Sequence, residues 1–108
     1  MIVLVNKFLL AKGFNGISLW PFVILKNKSF KNDSVFLNHE KIHLKQQAEM
    51  FLVFFYLWYG IEYIFRYIQF KNSYLGYRNI SFEKEAYGNE LDLNYMKSRK
   101  FWAFLKYL

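Results

Sequence analysis

Residues 39–43 read His39-Glu40-Lys41-Ile42-His43. Histidines four apart on a helix project from one face, one turn apart. Their imidazoles can converge on a single tetrahedral cation at about 2.0–2.1 Å. Glu40 lies one residue round the helix. There its carboxylate can reach a metal-bound water and take its proton without ligating the metal. Chance explains the pattern poorly. The chain has two histidines, both are here, and it has six glutamates. Random placement would give this arrangement roughly 0.1% of the time, which makes the motif's false-positive risk small.

A catalytic zinc site needs a third protein ligand and an open fourth position. No histidine remains and cysteine is absent. Asp33 lies before the helix, and Asp92 falls late in the last one. A glutamate is therefore expected to complete the set, from Glu49, Glu62, Glu83, Glu85 and Glu90. Glu49 is on the same helix, too near in sequence to fold back. An unbroken helix would carry Glu62 about 28 Å from His43, at 1.5 Å per residue. A break at Gly60 would return it. Glu83 and Glu85 open a new helix after a loop, so that helix can pack beside the first. Acids in a first helical turn also simply favour the positive end of the helix dipole.

A histidine pair of this kind, followed by a glutamate on a later helix, resembles the gluzincin zinc metallopeptidases. The segment Phe82-Glu83-Lys84-Glu85-Ala86-Tyr87 is similar to their E-x-x-A-D element. The resemblance implies Glu83 as third ligand beside His39 and His43, Glu40 as catalytic base, and Ala86 as a small packing residue. Tyr87 stands where the family has an aspartate that supports a ligand histidine. An alternative register makes Glu85 the ligand and Asn89 its supporter. The length is similar to that of the single-domain minigluzincins. That implies a zincin-like mini-domain, a peptide or protein substrate, and hydrolysis of peptide bonds with Zn2+. It also implies that a C-terminal segment, here Ser98 to Leu108, can block the cleft; covering the core is the expected role of this tail. A second donor for the oxyanion would come from Tyr74, Tyr77 or Tyr87. Gln46 and Gln47, one turn after the motif, are expected to be solvated. The competing function is a zinc-binding structural or membrane-associated interaction module without turnover.

Several elements must position these residues. Residues 14–26, FNGISLWPFVILK, are β-branched and aromatic, with Gly13 and Gly16 at bends and Pro21 at a bulge or edge. One or two short strands are expected there, with an edge to which an extended substrate can add. After a polar turn, Asp33 or Ser34 caps a helix running from Val35 to about Tyr59. Gly60 ends or bends it. A second apolar stretch covers Ile61 to Phe70, residues 71–80 read as a loop, and Ser81 caps a helix over 82–100. The expected class is α+β, mainly α, as one domain over residues 1–108.

Composition narrows the classes further. Apolar residues make 55% of the chain and aromatics 23%, which excludes disorder. The absence of cysteine excludes disulfides, iron–sulfur clusters and a thiol nucleophile. The net charge of +7 suits an anionic partner. The basic residues are scattered and no nucleic-acid module is present, so nucleic-acid binding is not expected. Lys7 and Lys12 interrupt the N-terminal apolar run, unlike a signal peptide, and the expected location is cytoplasmic. The longest uncharged run of the segment 48–70, Met50 to Ile61, is too short to cross a bilayer. A Glu62–Arg66 pair at i,i+4 would lower the cost of its two charges and leave association with a membrane surface open.

Overall fold

Three short strands precede the helices: β1 (Ile2–Val5), β2 (Gly16–Leu19) and β3 (Phe22–Leu25). The computed structural model describes residues 1–10 and 14–108, so the expected bend at Gly13 lies outside the described residues. The sheet order is β1-β3-β2, with β1 parallel and β2 antiparallel to β3. β2 is therefore an edge. Pro21 lies in the turn between β2 and β3 rather than at a bulge, and the Trp20–Pro21 peptide is cis. Side chains alternate across the sheet. Val23 and Leu25 pack inward with Val3, Phe36, Leu37 and Leu44. Ile2, Leu4, Ile17, Leu19 and Phe22 are exposed.

Helix α1 spans Ser34–Glu49. The Asp33 side chain accepts the Phe36 amide at 3.0 Å, which satisfies one of the free first-turn donors. The helix ends at Glu49, well before Tyr59, and α2 (Val53–Phe70) turns away at 113°. Gly60 sits inside α2 with nothing within 4 Å of where a Cβ would be, and does not end it. The break falls instead at Phe51 and Leu52, with φ of 53° and 61°. The Val53 amide donates to the Phe51 carbonyl at 2.6 Å, closing a tight γ-turn around Leu52. Such backbone costs about 1–2 kcal/mol per bulky residue. Burying Met50 and Phe55, worth about 1.5–3 kcal/mol each, offsets it. No glycine or proline marks this break, so no local signal announces it.

The expected loop 71–80 holds a short helix, α3 (Ser73–Arg78), capped by Asn72. Gly76 lets α3 meet α2 closely, because a Cβ there would lie 3.1 Å from the Tyr67 backbone. The long helix expected over 82–100 divides into α4 (Ser81–Asn89) and α5 (Tyr95–Ser98). Ser81 does not cap α4; it is the first helical residue. Phe82 centres the main core with Met50, Phe55, Ile80 and Phe104. The rings of Phe55 and Phe104 each lie 4.5 Å from that of Phe82. The C-terminal tail thus covers the core through Phe104. The class is α+β, mainly α.

Candidate metal centre

α1 and the first turn of α4 bring three ligand atoms together. His43 Nε2 lies 3.1 Å from His39 Nε2 and 3.0 Å from Glu83 Oε1. His39 Nε2 lies 3.4 Å from the same oxygen. Ligand atoms at tetrahedral angles and zinc distances would be spaced about 3.3–3.4 Å. The triangle fits that spacing, and two imidazoles with one carboxylate form a donor set suited to zinc. All three residues are buried.

Each of the three side chains is also held from outside the triangle. Gln46 donates its amide nitrogen to the Phe82 carbonyl and to Glu85 Oε1, both at 3.0 Å. Its oxygen therefore faces His43, and His43 Nδ1–H donates to it at 2.8 Å. That arrangement leaves His43 Nε2 for the centre. His39 Nδ1 pairs with Glu90 Oε2 at 3.1 Å. The Tyr59 hydroxyl donates to Glu83 Oε2 at 2.8 Å, so Oε1 is the oxygen presented inward.

The electrostatics follow from this crowding. Burial alone would depress the His43 imidazole, but the charge and hydrogen bond of Glu83, with the charge of Glu40, raise it to about 9. Burial works against the Glu83 carboxylate too. His43 and His39 override it and hold Glu83 well below the usual carboxylate range. Burial and the Glu83 charge push the Tyr59 and Tyr77 hydroxyls up, so both stay protonated donors.

Glu40 belongs to α1 and lines two adjoining clefts, of about 640 and 310 Å3, with His39, Phe14, Gly16, Tyr59 and Tyr77. The Ser18 hydroxyl donates to Glu40 Oε2 at 2.5 Å. Glu40 Oε1 has no protein donor among the described residues. β2 forms one wall. Its outward groups are partly taken: Gln47 donates to the Ser18 carbonyl at 2.8 Å and accepts the Trp20 amide at 2.7 Å. Gln47 thereby occupies that end of the edge as a neighbouring strand would. Among the described residues nothing occupies the edge at Gly16, where a Cβ would press on the tip of the Phe36 ring at 2.6 Å.

The other glutamates are engaged elsewhere. Glu62 accepts the Ser81 amide and, at 2.7 Å, the Ser81 hydroxyl, so it caps α4 from α2. The expected Glu62–Arg66 pair is not made; Arg66 donates to Gln69 at 2.9 Å. Glu85 and Glu49 bind Arg99 at 2.5 and 2.9 Å. Tyr87 does not hydrogen-bond His39 or His43. Its ring meets that of His39 at 4.4 Å and its hydroxyl pairs with Tyr77 at 2.8 Å. Glu90 provides the support instead. Asn89 bonds the Glu85 carbonyl and Tyr107, not the site. Gln46 and Gln47 are buried, against expectation. Their spacing carried the signal, since each falls seven residues after His39 or Glu40 and so on the same helical face. Nothing in the sequence singled out Ser18 or Tyr59, and Glu90 stood there as a candidate ligand rather than as the partner of His39. No family model, curated protein or solved structure matches the chain.

Proposed function

We propose that the chain is a zinc-dependent metallopeptidase of gluzincin type. The observation that carries this reading is the inward triangle of His39 Nε2, His43 Nε2 and Glu83 Oε1, with all three side chains anchored from behind. When bound, zinc lowers the pKa of water toward 7 and polarises a carbonyl. Glu40 takes a proton from the attacking water and passes it to the leaving amine. Ser18 orients Glu40 by bonding Oε2, which leaves Oε1 for that proton. Tyr77, a protonated phenol on the cleft wall, stabilises the developing oxyanion. An extended peptide adds along β2 at Gly16, where the edge is open. Gln47 stops the pairing at Ser18.

The test is metal content beside proteolysis. The wild type is expected to hold one zinc per chain and to cleave an unstructured protein. Glu40→Gln is expected to keep the zinc and lose cleavage, and His43→Ala to lose both. Equal zinc in wild type and His43→Ala removes the site. Zinc without cleavage in the wild type favours a non-catalytic zinc module.

A further inference from the structure

Helix α2 turns Phe55 and Glu62 inward and a broad apolar face outward. Phe54, Leu57, Ile61, Ile64, Phe65 and Ile68 recur at three- and four-residue spacing and are 56–69% exposed. Tyr56 and Tyr67 border them. An apolar patch of this extent marks an interaction surface. No acid lies on it, because Glu62, the one acid of α2, is buried against Ser81.

The whole surface has the same bias. Glu40, Glu49, Glu62, Glu83 and Glu85 are buried, and Glu90 is half-buried against His39. Asp33 and Asp92 are the exposed acids among the described residues, while most lysines are exposed. The interior thus hides the negative charge and the exterior presents the positive. Lys71 ends α2. Leu108, two residues beyond the exposed Lys106, closes a groove with Phe54, Ile61 and Arg66.

We infer that the outer face of α2 docks in the plane of an anionic lipid surface, its apolar side chains entering the headgroup boundary and the exposed Lys71 and Lys106 meeting lipid phosphates. Nucleic acid would use the charge but not the apolar face. Among the described residues no single helix is long and apolar enough to cross a membrane. Docking does not need one. Tyr56, at the border of this face, also lines the smaller cleft, so docking brings the rim of the cleft near the lipid. The inference does not depend on zinc chemistry.

The experiment is co-sedimentation of the full chain with vesicles. Wild type is expected to bind vesicles of equal parts phosphatidylglycerol and phosphatidylcholine, to bind pure phosphatidylcholine more weakly, and to release as salt rises. Ile61→Asp/Ile64→Asp, at exposed positions, is expected to keep the wild-type circular dichroism and weaken binding at least about tenfold. Glu40→Gln is expected to bind as wild type does. Absence of binding to anionic vesicles overturns the inference. Binding that survives the double substitution also overturns it. So does a dimer in analytical ultracentrifugation that the double substitution dissociates, since the face would then belong to a second copy. If the double substitution unfolds, Phe65→Gln replaces it under the same criteria.

Discussion

The Glu90 carboxylate accepts the Nδ1 proton of His39 at 3.1 Å, from the end of the helix whose first turn carries Glu83. One short helix therefore contributes both a proposed ligand and the group that orients another proposed ligand. Glu90→Ala should lower zinc affinity about 10–100-fold, as loss of such partners does elsewhere. Glu90→Gln should retain most of it, because an amide oxygen still accepts. Competition against a chromophoric chelator measures both. An unchanged Glu90→Ala affinity would leave the carboxylate without this role.

The raised His43 sets a pH dependence. Its folded value of about 9 exceeds the unfolded 6.5. In metal-free protein the His43–Glu83 interaction therefore stabilises fully below pH 6.5, and that contribution is lost as pH rises through about 9. Chelated protein should melt at a lower temperature at pH 10 than at pH 7. Zinc must displace the His43 proton, so its affinity should rise about tenfold per pH unit from pH 7 toward 9. Calorimetry in buffers of different ionisation enthalpy should detect about one proton released per zinc at pH 7. A flat affinity profile would contradict the raised imidazole.

Two tyrosines should separate binding from turnover. Both line the cleft, but Tyr59 donates to Glu83, the proposed ligand, whereas Tyr77 pairs with Tyr87. Tyr59→Phe should weaken zinc binding. Tyr77→Phe should keep zinc affinity and lower kcat about 100-fold, the usual loss of one oxyanion donor. Equal kcat in Tyr77→Phe and wild type would remove Tyr77 from the reaction.

Arg99 ties the tail to the site. Its guanidinium holds Glu85 and Glu49, and Glu85 receives the Gln46 amide that orients His43. Both ion pairs are buried, so removing the cation strands two carboxylates. Arg99→Met should cost about 3–5 kcal/mol in urea unfolding. A loss below about 1 kcal/mol, the scale of an exposed pair, would show that the network is open to water.

The amino-acid sequence by itself determined what lies within a few helical turns. A cap at Asp33 or Ser34, His39 and His43 on one face, and Glu40 beside them all follow from a 3.6-residue repeat and hydrogen bonds that close inside one segment. The strands over 14–26 follow equally from local side-chain type. Tertiary structure decided which glutamate meets the histidines. Local pattern alone leaves Glu62, Glu83 and Glu85 open, and only the resemblance to gluzincins points to Glu83. The three are told apart by Ser81, Tyr59 and Arg99, partners that only long-range packing delivers. The same holds for the turn at Phe51 and Leu52, where left-handed backbone at two bulky residues persists because burial of Met50 and Phe55 outweighs a local preference for continuing the helix.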